Sequence, residues 1–510
     1  MSRTGADELR DAVLDRGSFI SWDVEPLAVP VSAGYAAELA AARAATGRDE
    51  AVSTGEGRIN GRRVAVIVSD FDFLAGSIGV AAAERITAAV RRATVERLPL
   101  LASPSSGGTR MQEGTVAFLQ MVKIAAAVEL HKRAHLPYLV YLRHPTTGGV
   151  FASWGSLGHV TLAEPGALIG FLGPRVYEQL YGAPFPPGVQ TAENLLAHGV
   201  IDGVIPVKWL RRICARALKV LADGPGPAPR VSPAEPIPAV QRGSTEESRS
   251  WDRRMIPDLP AWDSVCASRR PDRPGVGFLL RHGTTERVPL SGTGSGESAT
   301  TLLALARFHG QPAVVLGQQR RGGGIVGPAE LREARRGMAL AAGLQLPLVL
   351  VIDTAGPALS AEAEQGGLAA QIAGCLAELV TLAVPTVSVL LGQGSGGPAL
   401  AMVPADRVLA AQHGWLAPLP PEGASAIVFR DTQHAPELSA AQGIRSVDLL
   451  SSGIVDMIVA EHPDAADEPI DFVKRMSLAI AVELHTLRFV PPEIRMAARL
   501  ERYRMIGLPT

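Results

Sequence analysis

The chain has 510 residues, of which 47% are hydrophobic and 19% charged; this is enough for two or more cored domains and excludes a disordered chain. A formal charge of −1 supplies no global field for nucleic acid or a membrane surface. Cys214, Cys266 and Cys375 stand far apart with no CxxC pair, which excludes a zinc ribbon or disulfide framework and fits a reduced, cytoplasmic setting.

The charged N-terminal stretch MSRTGADELRDAVLDRG has no apolar segment of the kind a signal peptide needs. No uninterrupted apolar run of about 18–20 residues follows, so no membrane span is expected. After Asn60-Gly-Arg-Arg63 the run Val64 to Val68 predicts a strand. Leu98–Ala102 predicts the next, leading into the turn Ser105-Ser-Gly-Gly108 and a helix from about Glu113 to Ala134. Pro137–Leu142 predicts a third strand, ending at the turn Thr146-Thr-Gly-Gly149. Residues 223–250, DGPGPAPRVSPAEPIPAVQRGSTEESRS, read as a semi-extended linker that divides the chain into domains 1–222 and 251–510.

The second half repeats the first. Arg97-Leu-Pro-Leu-Leu101 matches Gln345-Leu-Pro-Leu-Val349, and His135-Leu-Pro-Tyr-Leu139 matches Ala383-Val-Pro-Thr-Val387, both 248 positions on. At the same offset Gly148-Gly149 falls on Gly396-Gly397, and Gly108 on Gly356. One match could be coincidence; a shared offset across several elements indicates duplication. Short apolar strands alternating with longer helical stretches predict parallel βαβ units, hence an α/β fold of two tandem, related domains.

A glycine pair between strand and helix frees the backbone from a β-carbon and exposes amide N–H groups at a helix start. Such groups can hold a phosphate or a developing oxyanion. Four equivalent turns at the ends of parallel strands outweigh the alternative of tight turns with no ligand. No phosphate-loop, HExxH or GxSxG motif competes. Gly292-Thr-Gly-Ser-Gly296 reads as a loop, His131 and His135 as surface histidines, and Cys214 and Cys375 as core residues. No side-chain nucleophile or acid/base pair stands out; paired oxyanion sites do.

Several motifs carry a resemblance. Gly55-Glu-Gly-Arg-Ile-Asn-Gly-Arg62, Gly76-Ser-Ile-Gly79, Ser106-Gly-Gly-Thr-Arg-Met-Gln-Glu-Gly114, Pro145-Thr-Thr-Gly-Gly-Val150, Ala163-Glu-Pro-Gly-Ala-Leu-Ile-Gly-Phe171 and Gly173-Pro-Arg175 resemble the β subunit of bacterial acetyl-CoA carboxylase carboxyltransferase. Ile352-Asp-Thr-Ala-Gly356, Ala361-Glu-Ala-Glu364, Gly394-Ser-Gly-Gly397, Asp406-Arg-Val-Leu409 and Pro421-Glu-Gly-Ala-Ser425 resemble the α subunit. The chain thus resembles a natural fusion of β-type and α-type subunits.

The resemblance implies a crotonase-type (ClpP/crotonase-like) fold in each half. It implies carboxyl transfer from carboxybiotin, on a separate carrier protein of a biotin carboxylase complex, to acetyl-CoA or a related short acyl-CoA. The product would be malonyl-CoA for fatty acid synthesis. By the same resemblance Gly107 and Gly108 hold the thioester enolate, Gly148 and Gly149 shape that cleft, and Gly76 and Gly79 form its CoA-side wall. The turn Gly396-Gly397 holds the biotin carbonyl, with Gly356 nearby. It further implies at least a homodimer, with the active site made by the N-terminal domain of one protomer and the C-terminal domain of another.

Three departures stand out. The four-cysteine zinc ribbon of the β subunit has no counterpart, so no metal is expected. Where the α subunit reads Ser-Gly-Gly-Ala-Leu, this chain reads Ser395-Gly-Gly-Pro-Ala-Leu400, so Pro398, without an N–H, takes the place of the second glycine. Gly397 and Ala399 remain as donors. The stretch Gly317-Gln-Gln-Arg-Arg-Gly-Gly-Gly324 replaces one rich in Lys and Arg. Two other readings stay open on the sequence: a weak or inactive paralogue that scaffolds a carboxylase complex, and another crotonase-fold CoA-thioester enzyme using Glu113 as its carboxylate.

Overall fold

Val64–Val68 and Leu100–Ser103 are buried on both faces, as interior strands of a parallel sheet must be. The computed structural model describes residues 4–29, 31–171, 178, 182–231, 239–241, 256–291 and 300–507. They form two units, Met1–Ala222 with Leu290–Gly296, and Asp223–Pro289 with Glu297–Thr510.

In the first unit, β1 (Ile20–Ser21), β2 (Val52–Ile59), β3 (Arg62–Ser69), β4 (Leu100–Ser103), β5 (Tyr138–Leu142), β7 (Val160–Ala163) and β9 (Gly203–Val204) make one seven-stranded sheet in that order. β2 and β3 are an antiparallel hairpin; from β3 onward every pairing is parallel. Two further two-residue strands, β6 (Thr146–Thr147) and β8 (Ile169–Gly170), pair with each other as a separate small sheet. The helices that bear on the site are α1 (Ala6–Val13), α2 (Ala33–Thr46), α3 (Val80–Val95), α4 (Gly114–Arg133) and α5 (Gly148–Phe151). α3 and α4 pack their Ala, Ile and Val side chains into the sheet core.

The second unit has the same plan. β10 (Ala239–Gln241), β11 (Arg287–Leu290), β12 (Thr301–Phe308), β13 (Gln311–Gln318), β15 (Leu348–Thr354), β17 (Thr386–Ser395), β18 (Arg407–Ala411), β19 (Trp415–Ala417) and β20 (Met457–Val459) form its nine-stranded sheet. β14 (Ile325–Val326) and β16 (Gly356–Pro357) pair beside it.

Register shows the duplication directly. Leu100 faces Tyr138, and Leu348 faces Thr386, each residue moved by 248. The bridges Ile78–Thr109 and Ser106–Thr146 return at that offset as Val326–Pro357 and Thr354–Gly394. A slip of one residue would exchange the two packed faces of every strand, so this pairing fixes both sheets.

The stretch expected as a linker is held where it is described. The Gly226 N–H donates to the Gly310 carbonyl at 3.0 Å, and β10 pairs antiparallel with β20. Residues 232–238 and 242–250 lie outside the described residues, as do the expected loop at 292–296 and the motif Gly173-Pro-Arg175. Cys214 and Cys375 are buried, as expected. Among the described residues no helix is long and apolar enough to cross a membrane.

One histidine departs from expectation. His135 is exposed, but His131 is completely buried, with Nδ1 2.9 Å from the Thr94 hydroxyl. His131 lies inside α4, where α3 packs over it, whereas His135 follows the end of α4 with φ +58° and leaves the helix. Burial pushes the His131 ring down to about 4 from an ordinary 6.5. As pH falls, the unfolded chain therefore takes the proton first. The stabilisation is complete above about 6.5 and is lost as pH falls toward 4, by about 3 kcal/mol in all. Thermal unfolding between pH 6.5 and 4.5 should show a shallower loss of stability in His131→Gln than in the native chain; parallel profiles would refute the assignment.

Candidate active site

β4 ends at Ser103, and the chain then turns along the end of the sheet. Ser106 N–H donates to the Pro145 carbonyl at 2.7 Å, and Gly107 N–H to the Ala75 carbonyl at 2.9 Å. Ile78 N–H donates to Gly108 O at 2.9 Å and Arg110 N–H to Ile78 O at 3.0 Å. Gly108 N–H donates to the Ser106 hydroxyl at 3.0 Å. The amides of Gly107 and Gly108 are therefore both engaged within the protein. In this structure these bonds hold the 105–110 turn against the 75–78 loop.

The free amides lie one turn further on. Gly148, at φ +64°, donates to the Phe171 carbonyl at 3.1 Å and starts α5. Gly149 and Val150 follow in the first helical turn, where no intrahelical carbonyl can reach an N–H. No turn or loop carbonyl among the described residues takes either amide. Gly108 explains why they stay approachable. At φ +113°, its missing Cβ would sit 3.6 Å from Gly148 Cα and 3.7 Å from Gly149 N. A side chain there would fill the space in front of the amides.

Gly76 and Gly79 act on this cradle indirectly. Gly76 N–H donates to the Phe73 carbonyl at 2.9 Å, and a Cβ on Gly76 would overlap the Ser105 carbonyl. A Cβ on Gly79 would overlap the Glu113 carboxylate. Glu113 does start α4, but its side chain caps another helix: Oε2 accepts from Val80 N–H, the first residue of α3, and Oε1 from the Tyr35 hydroxyl, each at 2.6 Å. With both oxygens engaged and the side chain buried, Glu113 is a fastener rather than a base. Burial and the Glu113 carboxylate push the Tyr35 phenol up to about 12. Beside them the buried Arg110 guanidinium clasps Glu50 at 2.6 and 3.0 Å and the Ser77 carbonyl at 2.7 Å.

The second unit builds the equivalent cradle. Gly356, at φ +134°, takes the place of Gly108, and its N–H donates to the Thr354 hydroxyl at 3.1 Å. Gly396, at φ +68°, takes the place of Gly148 and starts the short helix Gly396–Leu400. Gly397 keeps an N–H that no described residue accepts. Pro398 stands where Val150 stands in the first unit and has no N–H. Ala399, the fourth helical residue, is the first whose N–H points back along the helix, toward the Ser395 carbonyl, so it does not replace the missing donor. The stretch 317–324 braces this cradle. Gln318 Nε2 donates to the Pro398 carbonyl at 3.0 Å, and Arg320 Nε meets Asp353 at 3.0 Å. Burial raises the Asp353 carboxyl above its ordinary value, against the pull of Arg320.

Among the described residues no group of three or more His, Cys, Asp or Glu side chains could hold a metal. Among the described residues the first cradle offers two backbone donors to an oxyanion and no general base. The sequence reading missed Val150, because an amide donor leaves no mark in side-chain type; the 248-residue offset from Pro398 was the available signal. It also missed Gln318 and the Arg110–Glu50 pair, which act through tertiary contacts only.

The Carboxyl transferase domain family matches residues 12–497. The chain is 75% identical, over the full length of both, to the probable biotin-dependent acyl-coenzyme A carboxylase beta3 subunit of Mycobacterium tuberculosis. It is 37% identical to the acetyl-coenzyme A carboxylase carboxyl transferase subunits beta/alpha of Salinispora arenicola, over 99% of this chain and 91% of that protein. Among solved structures, a transcarboxylase 12S hexamer with methylmalonyl-coenzyme A bound shares the fold at a TM-score of 0.74 and 21% identity, covering 95% of this chain and 89% of that one.

The two neighbouring glycines should respond differently to alanine. Gly107→Ala places its Cβ in ordinary contact, 3.6 Å from the Ala75 carbonyl, and should leave carboxyl transfer near native. Gly108→Ala forces a side chain to positive φ, at a cost of about 1–2 kcal/mol, and blocks the amides. It should lower kcat by roughly 100-fold while the fold, followed by circular dichroism, survives. Equal effects of the two substitutions would sink this placement of the donors.

Proposed function

We propose a function from one premise: this chain belongs to the carboxyl transferase domain family. It moves a carboxyl group from biotin, borne on a separate carrier subunit, to the α-carbon of acetyl-CoA or a related short acyl-CoA. Malonyl-CoA for fatty acid synthesis, made in the cytoplasm, is the product expected with acetyl-CoA. The observation that carries this reading is the duplicated cradle, one in each repeat, with free amides at Gly149 and Val150 and again at Gly397.

In the first unit the Gly149 and Val150 N–H groups donate to the thioester oxygen as the α-proton leaves. Fixed amides in a dry site need no reorganisation at that moment, and each is worth about 3–4 kcal/mol of barrier. Gly108 admits the oxygen by having no side chain. Glu50, Arg110, Tyr35 and Glu113 hold the two loops still beneath it.

In the second unit the residues fit a ureido carbonyl. Gly397 offers one N–H, Gly356 leaves space where a Cβ would stand, and the buried Ser395 hydroxyl beside that space has no partner. Biotin bound there supplies the carboxyl group and a ureido nitrogen able to take the substrate proton. The protein's part is to hold that carbonyl and keep water out. On this reading the two cradles that meet at one active site belong to different protomers, and the active species is at least a homodimer.

Carboxylation should be measured with radiolabelled bicarbonate, candidate biotin carboxylase and carrier subunits, and acyl-CoAs of increasing length. The expected outcome is incorporation that depends on this chain, with the highest kcat/KM for acetyl-CoA. Failure with every acyl-CoA, alongside a carrier shown to serve another carboxyltransferase, overturns the reading. Light scattering on the same sample should give a dimer or larger species; a fully active monomer would refute the assembly.

A further inference from the structure

Ser395 is the residue before the helix Gly396–Leu400 and is completely buried. A serine in that position ordinarily accepts a hydrogen bond from the N–H of the second or third helical residue. Here the third is Pro398, which has none, and Ser395 makes no capping bond. Its Oγ is left buried without a hydrogen-bond partner. The hydroxyl does not point at random: it lies 3.3 Å from where a Cβ on Gly356 would stand, at the edge of the space that glycine keeps open.

The first unit shows the complementary arrangement. Thr147 holds the position of Ser395, and its hydroxyl is engaged, donating to the Ser106 carbonyl at 3.3 Å. Its third helical residue, Val150, keeps a free N–H. In the first unit, then, the side chain is occupied and the backbone is free; in the second the backbone donor is gone and the side chain is free. A hydroxyl carries one proton it can donate, and serine is among the side chains that stabilise oxyanions.

We propose that the Ser395 hydroxyl replaces the amide that Pro398 removes, donating together with the Gly397 N–H to the carbonyl oxygen held in the second cradle. This rests on the carboxyltransferase reading above and names the second donor of that same site. It makes Pro398 a compensated substitution rather than a defect.

The test uses the full chain and two readouts: carboxyl transfer to acyl-CoA from a biotinylated carrier, and binding of free biotin by calorimetry. Ser395→Ala should lower transfer by about 100-fold and weaken biotin about 5- to 10-fold, with acyl-CoA KM unchanged. Ser395→Thr, which keeps the hydroxyl, should retain most of both. Pro398→Gly alone should change transfer little, and Ser395→Ala made in the Pro398→Gly background should recover most of the lost rate, because a backbone donor is restored. A purely structural serine would not be rescued that way. Native transfer and native biotin binding in Ser395→Ala overturn the proposal, as does an equal loss in both backgrounds. Absence of transfer in the native chain, by contrast, counts against the carboxyltransferase reading itself. If Ser395→Ala does not fold, Ser395→Cys, a weaker donor of similar size, should show the same loss and the same rescue, and its failure to do so overturns the proposal.

Discussion

Both cradles depend on the absence of one β-carbon, at Gly108 and at Gly356. In each unit that residue holds a positive φ directly over the start of the next short helix. The space where its side chain would stand is bordered in one unit by the Gly149 amide and in the other by the Ser395 hydroxyl. Glycine meets two demands there, a backbone angle that other residues resist and a surface close enough for an oxygen to reach the donors. Neither demand alone would build a site. A turn without the gap would be closed, and a gap without ordered amides would stabilise nothing.

Order in the first cradle comes from two loops stapled to each other. Three backbone hydrogen bonds join 75–78 to 107–110, the Gly108 N–H closes the turn on the Ser106 hydroxyl, and the Arg110–Glu50 pair anchors that staple in the protein interior. Buried ion pairs of this kind often add little net stability, since desolvation offsets the attraction. Their value here is positional. Breaking one partner leaves a buried charge, at a cost of about 3–5 kcal/mol, so alternative loop arrangements are disfavoured. The second cradle uses different chemistry for the same end, with Gln318 on the Pro398 carbonyl and Arg320 on Asp353.

Much of this was legible in the sequence, and the failures share a cause. Strands at Leu100–Ser103 and Tyr138–Leu142 follow from continuous apolar runs, and the 248-residue offset carried them to Leu348–Thr354 and Thr386–Ser395. The turns at Gly108, Gly148, Gly356 and Gly396 were visible because positive φ selects a residue type. Which amides remain free was not visible. That depends on whether a carbonyl such as that of Ala75 or Phe171 comes within reach, and no residue type records it. Glu113 misled for the same reason, since a carboxylate at the start of one helix can cap another. His131 and His135 sit four apart in sequence, but α4 ends between them, which leaves one buried within the helix and the other exposed beyond it.

The two repeats differ within the cradle itself, with Val150 in one and Pro398 in the other. Proline at the third position of a short helix supplies a fixed φ and loses only an N–H that the helix itself could not satisfy, so the fold tolerates it. What it changes is the donor set. An unpaired buried hydroxyl costs a folded protein about 1–3 kcal/mol, and the Ser395 hydroxyl is buried with no partner in the protein. Such a group has already been stripped of water. Any acceptor entering beside Gly356 gains a hydrogen bond without a further desolvation cost at the hydroxyl. A free amide at the protein surface lacks that advantage, because water must first be removed from it. On the proposed reading, the missing backbone donor at Pro398 and the unpaired Ser395 hydroxyl are two sides of one arrangement, a side chain standing in for an amide.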